Sequence, residues 1–222
     1  MASTFPPYTY DDDLIETTRR DARTRVRVYR LNDIVVVIGS GSQPSLEVDL
    51  AACEADGVPV LRRRGGGCSV VLDPGNVIVS VAAAGIPFGH HRRYFNQLTA
   101  WLIAGLAGSG VSGVKQAGIC DLVIGDKKVA GACLHRSRDL LFYAASLLVD
   151  PDLSRVRRYL RHPPREPDYR RRRAHGEFMG SLSALSGLDH LRASGTVLVA
   201  DRVAAALRQE LRPPQLATSF SS

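Results

Sequence analysis

Arg62-Arg63-Arg64-Gly65-Gly66-Gly67 puts three guanidinium groups directly before three glycines, at the end of a strand-like run over 58–61. Without Cβ atoms, glycines let the backbone pass close to a ligand. Their N–H groups can face an anion, and flanking guanidiniums can clamp it. A plain flexible loop has the same composition, and the run is not a Walker loop because no Lys-Ser or Lys-Thr follows. The second feature lies between Asp121 and Gly131. Lys128 stands where a hairpin strand restarts after Gly125-Asp126-Lys127, two residues before the small pair Ala130-Gly131. Strand alternation predicts Lys128 on the face of Ala130, opposite Val129. A lysine over a small, glycine-lined surface can reach a phosphate or carbonyl oxygen. Spacing alone favours a solvent-facing hairpin lysine.

These residues need strands and helices to hold them. Residues 25–31 alternate and 34–38 are continuously apolar, which predicts a hairpin around Asn32-Asp33. One short helix is expected over 45–56, ended by Gly57. Strands are expected at 69–72 and 77–82 around Asp73-Pro74-Gly75-Asn76. Tyr94, Leu98, Trp101, Leu102 and Leu106 recur at helical spacing, with Trp101 expected in the core. A hairpin joins 122–124 to 129–134, and 140–149 is a further strand. Asp152 caps a helix through Leu160. Two helices are expected in the last 45 residues, the second over 197–211. Residues 1–20, with Pro6, Pro7 and three aspartates, are expected to be loosely ordered, and 213–222 frayed. Strand pairs interspersed with single helices predict an α+β fold: a central mixed or antiparallel sheet with helices packed on it, as one domain over 21–212.

Composition bounds the function. The chain has 222 residues, 45% hydrophobic and 23% charged, ordinary for a globular protein. No apolar run approaches the roughly 20 residues of a membrane span, and the acidic start is not a secretory signal. A cytoplasmic protein is expected. Cys53, Cys68, Cys120 and Cys133 show no C-x-x-C pairing, so no metal site is expected. The net charge of +7 is concentrated between Arg155 and Arg173, with nine arginines and two acidic residues. Such a stripe suits an acidic partner or a solvated face. No zinc-finger or RNP-type motif argues for nucleic acid.

The order R-R-x-G-G-G, then D-x-G-N, then D-L-V-x-G-x-K-K-V-A-G closely resembles the lipoate–protein ligase family. That family shares its catalytic-domain fold with biotin–protein ligases and lipoyl/octanoyl transferases. The resemblance runs from about Val26 to about Leu182 and takes in Leu147-Leu148, Asp150, Asp152-Leu153, Tyr159-Leu160 and Pro163. Pro164-Arg165-Glu166-Pro167-Asp168-Tyr169-Arg170, with Arg173 and His175, looks like a subgroup signature. The resemblance implies attachment of lipoate, through lipoyl-AMP, to a lysine of a carrier protein. It implies Lys128 as catalytic residue, and Gly65, Gly66 and Gly67 along an acyl tunnel. Arg62 is implied at a nucleotide phosphate, Asn76 in the phosphate region, and Asp121 near the adenylate, with Gly131 beside Lys128. ATP, Mg2+ and lipoate are implied as cofactors and substrate, and an acidic lipoyl carrier as partner, docked by Arg157 and Arg161.

The sequence also departs from the family pattern. Leu72 stands where the family usually has His, Cys120 where it has Asn, Gly131-Ala132 where it has Gly-Ser, and Ala144-Ala145-Ser146 where it has His-Gly-Thr. Stand-alone ligases add an accessory C-terminal domain of roughly a hundred residues. This chain ends too soon for one, so full ATP-dependent activation is expected either to need a separate accessory protein or to be absent. Two alternatives stay open. One is an octanoyl or lipoyl transferase using a thioester on Cys120, whose thiolate Lys128 would favour. The other is a non-catalytic module that binds a lipoylated protein.

Overall fold

The structure, a computed structural model, describes residues 5–87, 89–137, 140–186 and 199–216. Its centre is β5 (Asn76–Ala83), buried at every position, beside β9 (Leu140–Leu148). Strands this predominantly apolar need cover on both faces, and these two have it. With β1 (Arg25–Tyr29), β6 (Lys115–Ala117), β7 (Asp121–Ile124) and β8 (Lys127–Ser137) they form a six-stranded antiparallel sheet, ordered β1-β5-β9-β8-β7-β6. On one face lie α4 (His91–Gly108) and α8 (Val199–Glu210). Leu98, Leu102 and Leu106 of α4 and Val203 and Leu207 of α8 meet Val79, Val81 and Leu141 there.

The other face carries a small mixed sheet. Here β2 (Val35–Ile38) runs between β3 (Val60–Arg62), parallel to it, and β4 (Val70–Leu72), antiparallel. Val35, Val37 and Leu72 face Ile78 of the large sheet. The outer face, with Val36, Ile38 and Val71, is closed by α3 (Leu50–Ala55) and α5 (Leu153–Tyr159). Short helices α2 (Pro44–Glu47), α6 (His175–Phe178) and α7 (Leu182–Leu185), with a 3-10 turn over Asp168–Arg170, complete the described elements.

The α+β architecture, the β7–β8 hairpin, the long α4 and the Asp152 cap on α5 agree with expectation. Several local readings are corrected. β1 and β2 do not form a hairpin: β1 pairs with β5, while β2 is the middle strand of the small sheet. An all-apolar β2 needs cover on both sides, and the middle of the second sheet supplies it. β4 and β5 likewise belong to different sheets. The helix expected over 45–56 is two, because Val48 is extended and bridges Leu160, and Asp49 then caps α3 through the Ala52 N–H.

The N-terminal reading is corrected most. Asp12–Asp21 is a helix, α1, and Leu14, Ile15 and Thr18 are its buried face. Aspartates in its first turn and arginines in its last complement the helix dipole. Before it, Pro7 bridges Arg62 in parallel, so the chain start extends the small sheet. At the other end Pro214 is buried and Leu216 packs on the main core, so 213–216 are not frayed. Trp101 is half-buried against that core and donates to the Arg212 carbonyl at 3.0 Å. Of the two expected C-terminal helices, the second is α8; the first falls partly on 187–198, outside the described residues.

Candidate functional site

Between the two sheets lies a cavity of about 300 Å³. Its walls are mostly apolar: Val37, Val70 and Leu72 from the small sheet, Ile78, Ala132 and Ala144 from the large one. Polar groups gather where β7 and β8 begin.

Lys128 is placed by a β-bulge. Leu122 pairs with Ala130 but Val123 pairs with Lys128, so Val129 is an extra residue on β8. Strand alternation is broken there. Val129 and Ala130 both enter the helix-covered core, at 0% and 1% exposure. Lys128 lines the cavity with Gly131, not with Ala130 as alternation predicts. Its Nζ lies 2.7 Å from Asp121 Oδ1. The Tyr169 hydroxyl donates to Asp121 Oδ2 at 2.8 Å. A Cβ on Gly131 would sit 2.9 Å from Nζ, so only glycine leaves the lysine its place.

Arg63, rather than Arg62, faces the cavity. Arg62 turns away and donates to the Gly39 and Ser40 carbonyls at 2.8 and 3.2 Å. Neighbouring residues on an extended chain point to opposite sides, which turns Arg63 inward where Arg62 turns away; Arg64, beyond the strand and paired with Asp12, also reaches the lining. Arg63 holds the glycine loop by donating to the Gly66, Cys68 and Val37 carbonyls, and its buried Nε has no partner. Gly67, with φ of +90°, lines the cavity. Gly65 and Gly66 do not: Gly65 packs on Cys133, where a Cβ would lie 2.7 Å from Sγ, and Gly66 faces open space. Asn76 is also outside the lining. It is 1% exposed and its Oδ1 accepts from the Asp73 N–H at 2.9 Å, closing the turn before β5.

The 163–175 segment supplies the remaining polar wall. Arg170 is 4% exposed, pairs with Glu166 at 3.4 Å and lies over the Phe178 ring. Burial draws its guanidinium below the ordinary value. His175 Nε2 is 3.0 Å from the Arg161 carbonyl, so it carries the proton, and Nδ1 accepts from Arg170 at 3.4 Å. Burial holds this imidazole below its usual range, in the neutral form. Sequence reasoning marked this segment as a signature without assigning roles. It missed Arg63, Tyr169 and the N-terminal residues Tyr8 and Asp11, which also line the cavity or its polar partners.

Cys120 lines the cavity, but its thiol is pushed up, first by burial and then by Asp121; Lys128 opposes this without reversing it. Lys128 thus acts on this thiol in the expected direction, and burial outweighs it. Cys120→Ser is expected to keep the acyl-transfer rate within about twofold, measured by carrier acylation. A loss above a hundredfold, with an acyl adduct on the wild-type thiol, would restore the thioester route.

Arg157 and Arg161 are exposed, but they do not share a helix face. α5 ends at Tyr159, and Arg161 follows it, donating to the Ser45 carbonyl at 3.1 Å. Much of the stripe is engaged internally: Arg158 with Asp56, Arg155 with Asp152, Arg173 with Asp126. Among the described residues no group of three or more His, Cys, Asp or Glu side chains is placed to hold a metal ion, and no helix is long and apolar enough to cross a membrane.

An apolar cavity with a fixed lysine and a buried arginine at its polar end is the site of a protein that handles an apolar chain bearing an anionic head. The chain belongs to the lipoyl protein ligase A/B catalytic domain family, whose family model matches residues 4–211. It is similar to a chain from an archaeal lipoylation system of Thermoplasma acidophilum, a bi-partite lipoate protein ligase and its E2 lipoyl domain. Identity is 22% and the TM-score 0.72, over 91% of this chain and 75% of that one. It is similar to a lipoate-protein ligase A bound with ATP at 21% identity and TM-score 0.71, over 91% and 76%. Plasmodium falciparum LipL1 in complex with lipoate matches at 20% identity and TM-score 0.63, over 91% of this chain and 54% of that one. At these identities the solved structures show the shared fold.

Proposed function

We propose that the chain activates lipoate with ATP and transfers the lipoyl group to a lysine of a carrier protein. The observation that carries this reading is Lys128, held 2.7 Å from Asp121 over Gly131 at the polar end of an apolar cavity. The lipoyl chain would lie among Val37, Leu72 and Ala144, with its carboxylate toward Lys128. That carboxylate attacks the α-phosphate of ATP and pyrophosphate leaves. Lys128 and Arg170 stabilise the negative charge that gathers on the phosphoryl oxygens. The carrier lysine then attacks the carbonyl carbon of lipoyl-AMP, AMP leaves, and Lys128 polarises the carbonyl oxygen. Arg63 takes the phosphate role that the resemblance gave to Arg62, since its unpaired Nε and its place in the lining suit an anion. Magnesium would enter with the triphosphate, whose oxygens are its ligands. The family membership, and the ATP and lipoate carried by similar structures, support this route. The raised Cys120 thiol weighs against a thioester transferase.

The test is direct. The purified chain is incubated with a lipoyl carrier domain and lipoate, with and without ATP, and the carrier is weighed. A lipoyl mass increase only with ATP is expected. An increase from an acyl thioester without ATP would favour the transferase, and none under either condition, with a supplied accessory protein, would favour a binding module.

The partner is proposed as an acidic lipoyl domain in the cytoplasm, with a separate accessory protein; the bi-partite T. acidophilum ligase supports both partners. Arg157→Glu with Arg161→Glu should raise the carrier KM severalfold and flatten its salt dependence. Adenylate formation and melting temperature should not change. An unchanged KM at low salt would remove this docking surface, because screening is weakest there.

A further inference from the structure

Lys128 has a support that does not itself line the cavity. Asp121 is 8% exposed and part of the wall. Its Oδ1 meets the Lys128 ammonium at 2.7 Å, and its Oδ2 accepts from the Tyr169 hydroxyl at 2.8 Å. Tyr169 is not among the residues that line the cavity. An ammonium carries three N–H groups. With one on Asp121, two are left for the oxygens of a ligand.

Tyr169 is tied to the hairpin that carries both of these residues. Arg173 donates to the Tyr169 carbonyl at 3.1 Å. The same guanidinium donates to Asp126 at the β7–β8 turn, at 2.6 Å to Oδ2 and 3.1 Å to the carbonyl. The Tyr169 ring lies 5.3 Å from the Phe178 ring. On its other flank only glycine stands at 118, where a Cβ would come 3.6 Å from the ring. Burial, and then the Asp121 charge, push the Tyr169 hydroxyl well above the ordinary phenol value, so it stays protonated and donates. Without that donor, one oxygen of a nearly buried carboxylate would be left unmet, which costs free energy. The carboxylate would then turn to share both oxygens with the ammonium and draw it back from the cavity.

We infer that Tyr169 is a positioning residue for the reaction, holding Asp121 so that Lys128 meets it through one oxygen and keeps its other N–H groups for the reacting phosphate and carbonyl. The inference rests on the ligase reading above. It gives the 163–175 segment a part in the chemistry, exerted through the hairpin.

Tyr169→Phe removes one oxygen and keeps the ring beside Phe178. In ATP-dependent carrier lipoylation by the full chain, kcat should fall about tenfold, the effect of losing one hydrogen bond to a charged group. The KM for lipoate should stay within about twofold, because Tyr169 is not part of the lining. In a Lys128→Met background the change should cost nothing further, since the hydroxyl acts through the lysine. Tyr169→4-aminophenylalanine restores an N–H donor on the same ring and should recover most of the rate. A wild-type kcat in Tyr169→Phe would overturn the inference. So would an equal loss in both backgrounds, or a 4-aminophenylalanine variant as slow as Tyr169→Phe. A Tyr169→Phe chain that unfolds at the assay temperature would make the hydroxyl a structural tie and overturn it too. A wild-type chain that lipoylates no carrier, with ATP and a supplied accessory protein, would overturn the ligase reading and the inference with it.

Discussion

Lys128→Met is expected to lower the rate of carrier lipoylation about 10²–10³-fold, the loss typical when one preorganised charge donor is removed from a reacting site. Methionine keeps the apolar stem, so packing over Gly131 survives while the ammonium is lost. The effect should fall on kcat more than on the KM for lipoate, because the charge is needed most when negative charge builds on phosphate and carbonyl oxygens. Asp121 keeps the Tyr169 hydroxyl as a donor, so the variant should stay folded. Single-turnover acylation and a circular-dichroism melt on the same preparation decide the matter. A variant acylating at the wild-type rate would take Lys128 out of the mechanism.

The second large effect is on stability. Gly75→Ala is expected to cost about 3 kcal/mol and lower the melting temperature by roughly 10 °C. A Cβ there would overlap the Asp150 carbonyl. The backbone has no room to retreat, because Asp73 accepts from the Gly75 and Asp152 N–H groups at 2.8 and 2.9 Å, and the Gly75 carbonyl accepts from Asp150. Gly66→Ala is the control. Nothing lies within 4 Å of its added methyl, so its melting temperature should stay within a degree or two. Equal melting temperatures for the two variants would show that the turn yields.

The D-x-G-N run is thus chiefly a clamp. Asp73, Gly75 and Asn76 tie β5 to the Asp150–Asp152 segment and never reach the cavity. That distinction was not legible in the sequence, where the same residues fit a phosphate site. What was legible was local. The stripe of Leu98, Leu102 and Leu106 specified α4, and the short turn at Gly125-Asp126 specified the β7–β8 hairpin. Long-range choices were not. Nothing in the pattern of Val35–Ile38 says that its neighbours are β3 and β4 rather than β1. The bulge at Val129 has no glycine to announce it, yet it decides which way Lys128 looks. For α1 the signal was present and outweighed: Leu14, Ile15 and Thr18 make a helical face behind prolines and aspartates that suggested disorder.

The cavity wall joins distant parts of the sequence, Tyr8 and Asp11 near its start and Phe178 and Met179 far along it. Such a chamber has no partial form. It closes only after contacts of very long sequence separation are made, which are the slow contacts in folding. A tail-shaped ligand can then be held by the finished protein and not by its precursors. At a hundred times its dissociation constant it would add about 2.7 kcal/mol to the folded state. Bound substrate is therefore expected to slow unfolding and proteolysis of the filled chain relative to the empty one.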